Sequence, residues 1–391
     1  MLVCDTGGTT FDVGLISAGE IHYSAETWLG GRWIGHITGT RSVDVRSIGA
    51  GGGSIVWIDS GGLVRVGPQS AGSDPGPACY GLGGTDPTVT DAALLLGYLH
   101  ASNFLSGRLV LDQAAAQSAF VPLADQLQTT VERAAEAAMV IASENIVGAI
   151  REITISQGID PREMTIVAGG GASGLNIVPI ARELGCRHVL LPSTAGVLSA
   201  YGALHSDIIS EFAVSRYAET RNLDLEAVNE ALATVGAKAD EFLAGLHTLH
   251  PLAENKQFYV DARYRQQVWE LTVPLQGAQL EDEGDVAALE QAFHGIHHRV
   301  FAVSEPGQYL ECLVWKARAT AELAKPLMTA RPFRPHTGVA SSDLAPAFFP
   351  HAGRIATPRF DGDLLAPGAT IEGRPSSVSL RRPWWSTPDL K

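Results

Sequence analysis

A short polar segment near the start of the chain combines the residue types that bind phosphate. Residues 5–12 have the sequence Asp-Thr-Gly-Gly-Thr-Thr-Phe-Asp and stand between two apolar runs that predict strands. Adjacent glycines in a tight turn let backbone N–H groups point at one anion, and the hydroxyls of Thr9 and Thr10 are additional donors. Asp5 would repel a bare phosphate, so its position indicates a partner of hydrated Mg²⁺. The alternative is a plain β-hairpin with its glycine pair at the turn.

A second glycine-rich segment follows a run that predicts a buried strand. Residues 169–174 have the sequence Gly-Gly-Gly-Ala-Ser-Gly, and a helical pattern begins directly after them. Glycines between a strand and a helix allow the backbone to approach a nucleotide, and the helix N-terminus favours anionic groups. A tight strand-to-helix turn without a ligand fits this segment equally well.

A third segment contains four glycines within residues 49–54, which have the sequence Gly-Ala-Gly-Gly-Gly-Ser. It precedes an apolar run that predicts a strand, and a flexible linker is not expected between strands. The position therefore favours a loop that packs against a ligand.

Strands and loops dominate the first ninety residues, and they must position these segments. Runs at residues 55–58 and 63–66 flank Asp-Ser-Gly-Gly, which predicts a hairpin. Residues 68–91 are rich in Pro, Gly, Ser and Asp and predict a long loop with little regular structure.

The middle of the chain predicts an α/β unit. Residues 123–157 have apolar side chains at three- and four-residue spacing, which predicts helix. A βαβ unit follows, in which the second glycine segment joins its first strand to its helix. Its predicted elements are a strand at 165–168, a helix at 175–184, a strand at 188–191 and a short helix at 197–204.

The pattern changes near residue 207, and we place a domain boundary within residues 206–220. The segment 324–350 is rich in Pro, Ala and Ser and predicts a surface loop or linker. Between them the predicted elements are helices at 223–249 and 286–301 and strands at 258–265, 268–273 and 310–321.

Composition excludes several classes of protein. The 391 residues suffice for two to three domains, and 28 Lys and Arg against 42 Asp and Glu give a net charge of −14, which argues against a nucleic-acid binder. No apolar run approaches the length of a membrane span, and no signal-peptide pattern is present. The four cysteines form no CxxC pair, so we expect neither disulfides nor a zinc site. We expect a cytoplasmic location, where thiols stay reduced.

Two further groups of residues have a structural and a functional interpretation. His294 and His298 form an i, i+4 pair that could bind metal, but no third ligand is evident. We therefore favour a solvated helix face for these two residues and for His297 between them. Cys79 lies in a loop where nothing beside it would lower its pKa, so we expect a packed thiol.

The motifs resemble a known family. Residues 5–12 resemble the second phosphate loop of actin-like ATPases, and residues 169–174 resemble their adenosine loop. Longer motifs narrow the resemblance, and the chain is identified as a member of the hydantoinase/oxoprolinase family over residues 1–373. These motifs occupy residues 47–55, 66–81, 87–92, 185–207 and 261–267.

The resemblance implies an α/β fold, with one lobe of an actin-like (ribonuclease H-like) ATPase at residues 1–206 and an α+β domain at residues 207–373. It implies ATP and Mg²⁺ as cofactors, with catalytic roles for Asp5 and Asp12 and a metal-binding role for Asp5. The residues expected to bind the nucleotide are Gly7, Gly8, Thr9, Thr10, Gly51, Gly52, Gly53, Ser54, Gly169, Gly170, Gly171 and Ala172.

The activity that the resemblance implies is ATP-dependent hydrolysis of a cyclic amide such as a hydantoin or 5-oxoproline. Phosphorylation of the carbonyl oxygen would make it a leaving group, and water could then open the ring. Two alternatives stay open. One is the ATP-binding subunit of an acetone- or acetophenone-type carboxylase, and the other is a nucleotide-binding remnant without turnover.

Several departures from the family pattern affect these expectations. Family members carry a further N-terminal lobe with another phosphate loop, so we expect a missing lobe or a partner chain such as a second hydantoinase-type subunit. We accordingly expect weak or no ATP hydrolysis by this chain alone. Asn176 stands where relatives often have His. Residues 374–391 also depart from the pattern, and we expect an out-of-frame tail that does not fold, or else a divergent surface tail.

Overall fold

The computed structural model describes residues 1–17, 19–24, 28–29, 35–37, 42–326, 343–350, 352–360, 376–378 and 383–385. Its strands are β1 (Leu2–Thr6), β2 (Phe11–Ser17), β3 (Glu20–Ile21), β4 (Tyr23–Ser24), β5 (Trp28–Leu29), β6 (His36–Ile37), β7 (Ser42–Val43), β8 (Val45–Ile48), β9 (Ser54–Ile58), β10 (Val64–Ser70), β11 (Thr165–Gly169), β12 (His188–Leu190), β13 (Ile208–Glu219), β14 (Ala253–Tyr264), β15 (Leu271–Pro274), β16 (Leu310–Glu322), β17 (Asp343–Phe349), β18 (Gly353–Phe360), β19 (Ser376–Val378) and β20 (Pro383–Trp385). Its α-helices are α1 (Val89–Leu95), α2 (Gln113–Gln126), α3 (Val131–Ser156), α4 (Ile177–Leu184), α5 (Leu198–Leu204), α6 (Leu225–Gly245) and α7 (Glu283–Phe301).

The chain forms two compact units, one of residues 1–201 and 330–391 and the other of residues 202–329. Within the described residues, no helix has the length and apolar character needed to cross a membrane.

The first unit contains a mixed sheet with strand order β12–β11–β1–β2–β3, and β8 also pairs with β2. β1 and β2 form an antiparallel hairpin, whereas β11 and β12 run parallel to β1. Alternation in β1 and β2 buries every second residue, which places an apolar face on α3 and α4. The largest buried side chains of this layer are Leu2, Phe11, Leu15, Ile146, Ile150, Ile153 and Ile166.

A second core of the same unit joins α1, α2 and the first half of α3. Phe120 and Leu96 lie at its centre, and Phe348 of β17 packs against it. The Phe348 amide donates to the Leu96 carbonyl at 2.8 Å. The strands β17 to β20 form a separate sheet in that order.

The second unit is an α+β structure. Its antiparallel sheet has the strand order β13–β16–β14–β15. Trp315 of β16 and Tyr264 of β14 are buried in a core that also contains residues of α6 and α7. The strands predicted at 258–265 and 268–273 correspond to β14 and the shorter β15, which are antiparallel neighbours: Asp261 of β14 faces Thr272 of β15.

The linker prediction for residues 324–350 is wrong at its end, where β17 forms. Ala347 and Phe348 are buried, and β17 is the edge strand of its sheet. Pro346 is compatible with this position because an edge strand has backbone amides without ladder partners. Residues 327–342 and most of the predicted tail at 374–391 lie outside the described residues, although β19 and β20 fall within that tail.

The prediction of a solvated histidine face on α7 is wrong for two of its three residues. His297 is only 3% exposed, and its Nδ1–H donates to the Val303 carbonyl at 2.6 Å. His294 is half-buried and lies 2.5 Å from the Tyr264 hydroxyl through its Nδ1. Only His298 is exposed. Phe293, which is fully buried in the core, lies one turn before His297 on the same helix face, and its ring contacts those of His294 and His297.

Candidate functional site

The glycine segments predicted from the sequence meet at one edge of the main sheet. β1 and β11 are parallel neighbours, and Asp5 pairs in register with Gly169. Because parallel strands end at the same edge, the turn after β1 and the turn after β11 lie side by side. A direct bond joins them, since the Ala172 amide donates to the Thr6 carbonyl at 3.0 Å. In open α/β sheets, this is the edge at which ligands bind.

The turn after β1 presents backbone donors to solvent. The Gly7 amide donates to the Thr10 carbonyl at 2.9 Å, which closes the turn. Gly8, Thr9 and Thr10 are exposed. Within the described part of the chain, the amides of Gly8 and Thr9 donate to no other group. Exposed amides on a glycine turn fit an anion such as a phosphate.

The segment 51–54 lies against the inner side of this turn. Its residues are buried, and the amides of Gly52 and Gly53 donate to the carbonyls of Gly7 and Gly8 at 3.1 and 2.6 Å. The Gly51 amide donates to the Ser54 hydroxyl at 2.8 Å. These donors are therefore already used within the protein, so the segment supports the phosphate turn.

Close backbone approach explains the glycine at position 51. A Cβ added there would lie 2.7 Å from both the Gly8 carbonyl carbon and the Thr9 nitrogen. No real side chain tolerates such contacts with backbone. Thr90 completes the support, because its hydroxyl and its amide each donate to the Gly52 carbonyl at 2.7 Å.

The turn after β11 is equally constrained. Gly170 has φ +87°, and an added Cβ would lie 2.2 Å from the Thr6 carbonyl oxygen and 2.5 Å from Asp5 Oδ1. Its amide donates to the Ala195 carbonyl at 2.7 Å. Gly171 is exposed, with open space beside it. The turn therefore combines a tightly packed glycine with one that a ligand can approach.

Two carboxylates stand together beside these turns. Asp5 of β1 and Asp12 of β2 are register partners in the antiparallel pair, so their side chains project from the same face. Both are half-buried, on the face opposite the α3 layer. The Ser199 hydroxyl donates to Asp5 Oδ2 at 2.7 Å, and the Thr10 hydroxyl donates to Asp12 Oδ2 at 3.4 Å.

A cation would relieve the repulsion between these adjacent carboxylates. Mg²⁺ is commonly held by one or two carboxylates together with substrate phosphates, and the two aspartates fit that description. Within the described residues, there is no group of three or more His, Cys, Asp and Glu side chains that could hold a metal. A metal here would thus depend on oxygen ligands from a bound phosphate.

The sequence interpretation did not identify Ser199 and Thr90, which orient the site from outside the glycine segments. Ser199 lies in the 185–207 motif and Thr90 lies in the 87–92 motif. The sequence alone assigns neither motif a chemical role. Only the structure shows that their hydroxyls reach Asp5 and Gly52.

The loop at 68–91 is more ordered than its composition predicts, because the Asp91 side chain accepts several hydrogen bonds from its backbone. The Asp91 side chain accepts from the amides of Ala78, Cys79 and Thr88 and from the Thr88 hydroxyl, at 2.7 to 3.2 Å. Thr88 and Asp91 also form a capping box at the start of α1. Cys79 is fully buried, and burial together with the nearby Asp91 carboxylate raises the pKa of its thiol. The prediction of a packed thiol is confirmed.

The structure thus defines an α/β protein whose glycine turns and paired aspartates share one sheet edge. The pattern of the hydantoinase/oxoprolinase family matches residues 1–212. The chain therefore belongs to the hydantoinase/oxoprolinase family.

Individual relatives agree with this family. The chain is 33% identical to the caprolactamase subunit alpha of Pseudomonas jessenii over 95% of its own length and 54% of that protein. It is 29% identical to the acetophenone carboxylase gamma subunit of Aromatoleum aromaticum, over 94% of this chain and 51% of that protein. The crystal structure of the ATP-dependent caprolactamase from Pseudomonas jessenii superposes with a TM-score of 0.75 at 31% identity, covering 99% of this chain and 56% of that one. The chain spans about half the length of these relatives.

Proposed function

We propose that this chain is the ATP-binding part of an enzyme that hydrolyses a cyclic amide. The observation that carries the proposal is the convergence of the two exposed turns, after β1 and β11, beside the Asp5–Asp12 pair. One turn offers free amides to an anion, and the other offers an open glycine edge. A nucleotide has both a polyanionic tail and a flat base, so this pairing of surfaces suits it.

Each predicted residue receives a role in this proposal. The amides of Gly8 and Thr9 and the hydroxyls of Thr9 and Thr10 would bind ATP phosphates, with the Thr10 hydroxyl turning from Asp12 to the phosphate. Gly7 would hold the turn closed through its bond to the Thr10 carbonyl. Asp5 and Asp12 would hold Mg²⁺ directly or through water. Gly169, Gly170, Gly171 and Ala172 would seat the base and sugar. Gly51, Gly52, Gly53 and Ser54 would fix the phosphate turn from behind.

We further propose that the first unit is one lobe of an actin-like ATPase. An antiparallel hairpin, β1–β2, is extended on one side by the parallel strands β11 and β12 and on the other side by β8. This order supports the proposal because it puts both nucleotide turns at the ends of central strands. A single lobe covers only one side of a nucleotide, so a second lobe or a partner chain would close the site.

The chemistry follows from the low reactivity of amides. Bound ATP would transfer its terminal phosphoryl group to the carbonyl oxygen and release ADP, which makes the amide carbon more electrophilic. Water would add to that carbon, the C–N bond would break with the ring nitrogen as the leaving group, and a second water would hydrolyse the resulting acyl phosphate to a carboxylate and phosphate. The residues of this chain would hold the phosphates, neutralise their charge through the metal and keep the reacting groups in line. The likeness to a caprolactamase subunit supports a lactam or related ring as substrate.

A second candidate function is the ATP-binding subunit of a ketone carboxylase. The match to an acetophenone carboxylase subunit over 94% of this chain favours it. The same phosphate turn would serve either reaction, because both begin by activating an oxygen atom with ATP. The difference lies in the substrate and in the partner chain.

The test is an assay of the chain alone and together with the products of its neighbouring genes. We expect caprolactam, 5-oxoproline or a hydantoin to stimulate ADP release and ring opening only in the assembled enzyme. Stimulation by a ketone with bicarbonate would instead favour the carboxylase. ATP binding without turnover in either form would instead favour the inactive nucleotide-binding remnant, and a failure to bind ATP would overturn all three candidates. Rapid ATP turnover by this chain alone would contradict the need for a second lobe.

A further inference from the structure

A small cavity lies inside the first unit, directly behind the candidate site. Its volume is about 10 Å³, and Gly51, Gly52 and Ala172 of the glycine segments form part of its wall. Aliphatic side chains enclose most of the remainder. They are Ala50, Val66, Val89, Ala142, Ile146 and Leu175.

Two polar side chains of this cavity have no hydrogen-bond partner among the residues that the structure describes. Thr6 is 2% exposed and Asn176 is 4% exposed, and both line the cavity. Within the described part of the chain, Thr6 Oγ1 and Asn176 Oδ1 have no hydrogen-bond partner. More than nine-tenths of buried polar groups in proteins are paired, because a buried group without a partner costs about 1–3 kcal/mol. Two such atoms at one small cavity indicate a shared ligand.

The chemistry of the wall selects a neutral ligand. Among the described residues, no Asp, Glu, Lys, Arg or His lines the cavity. An ion would therefore lose its hydration among aliphatic groups without a compensating charge. The ligand must donate to Asn176 Oδ1, since a carbonyl oxygen only accepts, whereas the Thr6 hydroxyl can donate or accept.

We propose that this cavity binds one structural water molecule. A volume of about 10 Å³ is the least that holds a water, and such waters make two to four hydrogen bonds. Thr6 and Asn176 provide two partners. The Ser54 hydroxyl, which accepts from the Gly51 amide, also lines the cavity and provides a third.

This water would tie together the elements that position the site. Thr6 is the last residue of β1, Asn176 immediately precedes α4, and Ser54 begins β9. Asn176 makes no side-chain capping bond to α4, so its side chain is available to the water. The water would thus fix the spacing between the phosphate turn and the turn after β11, whether or not a nucleotide binds there.

The first test asks whether near-isosteric variants of the full chain are more or less stable than the unmodified chain. Thermal unfolding is measured in the absence of nucleotide. If the water bridges the residues, Thr6→Val and Asn176→Leu each lower Tm by about 2–4 °C. The double variant loses less than the sum of the two, because removing both polar groups also removes the need for the water. A rise in Tm in either single variant would overturn the proposal, since it would mean that the polar group had no partner to lose.

A matched control separates this coupling from general effects of burial. Thr154 is fully buried, and its hydroxyl donates to the Ile150 carbonyl at 2.8 Å. Thr154→Val should destabilise additively with Asn176→Leu. A high-resolution crystal structure of the unmodified chain gives an independent answer if a variant fails to fold. Density for a water within hydrogen-bond distance of both atoms supports the site, and its absence from well-ordered density refutes it.

Discussion

At the scale of single residues, the candidate site depends on two acidic side chains in an unfavourable position. Asp5 and Asp12 face each other across an antiparallel pair, and like charges placed directly opposite destabilise a sheet. The Ser199 and Thr10 hydroxyls satisfy one oxygen of each carboxylate. The arrangement makes sense if the pair gains more from a bound cation than it loses by repulsion.

We expect Asp5→Asn to lower Mg²⁺-dependent ATP turnover in the assembled enzyme at least about 100-fold, because the metal loses a charged ligand. The same variant should be as stable as the unmodified protein or slightly more stable, since the repulsion with Asp12 disappears. The measurement is steady-state ADP release together with thermal unfolding. Asp125→Asn, at an exposed position of α2, is the control that should change neither. Unchanged turnover in Asp5→Asn would refute the metal role.

Gly51 is a position at which any added side chain would displace the phosphate turn. Gly51→Ala would place a methyl group 2.7 Å from the Gly8 and Thr9 backbone, so the phosphate turn must move. We expect a loss of about 1–3 kcal/mol in the free energy of unfolding and at least tenfold weaker nucleotide binding. Urea unfolding and calorimetric titration with ADP measure the two effects.

The matched control for this substitution is Gly148→Ala in α3. Apart from its chain neighbours and the backbone of α3 itself, no described atom lies within 4 Å of the added Cβ, and the position is exposed. Alanine in a helix interior should stabilise the protein by about 0.5–1 kcal/mol. Equal behaviour of the two alanine variants would contradict the close packing of the turn.

At the scale of elements, one short helix fixes a long loop. α1 has only seven residues, yet all of them are buried, and Asp91 in its first turn receives four hydrogen bonds. The loop before α1 therefore has few free backbone donors near residues 78–79. Because Thr90 of the same helix holds Gly52, the order of this loop reaches the candidate site.

We expect Asp91→Ala to destabilise the chain by roughly 3 kcal/mol, since several buried donors lose their acceptor at once. Asp112→Ala removes the N-cap of α2, where the side chain accepts from the Ala115 amide, and should cost about 1 kcal/mol. Urea unfolding of both variants gives the comparison. Equal losses would argue that Asp91 acts only as a helix cap.

At the scale of the whole molecule, each unit has its own core. The first unit has two apolar clusters around α3, and the second has one cluster between its sheet and its helices. All four cysteines lie in these cores as free thiols. Burial raises the pKa of each thiol, to about 12 for Cys312, and the Asp91 carboxylate adds to the shift at Cys79.

A raised pKa leaves less thiolate at any given pH, so the cysteines should react slowly in the folded protein. We expect no rapid modification by a disulfide reagent at pH 8 and four equivalents after unfolding in urea. Ser118→Cys, at an exposed position of α2, should add one rapidly reacting thiol and so serves as the positive control. Rapid labelling of a native cysteine would contradict the closed cores.

Much of the local structure follows from the sequence, for reasons that act over short distances. The hairpin of β9 and β10, the helical region around α3 and the strand–turn–helix order around Gly169 were predicted from periodicity and turn residues, and the structure confirms them. The burial of His297 was not predictable in this way. Histidine is common on solvated helix faces, and the partners of this ring, Gln267 and Val303, lie outside α7.

The sequence by itself determined which segments could bind a phosphate and a nucleotide, because glycine turns between strands and helices are encoded by adjacent residues. The tertiary structure decided which of these segments is exposed to a ligand and which supports the exposed turn from inside the protein. It brought β1 beside β11, about 160 residues away in sequence, and used the amides of Gly52 and Gly53 to support the exposed turn. Such pairing depends on how the whole core packs, and no local pattern records which backbone donors the fold will already have used.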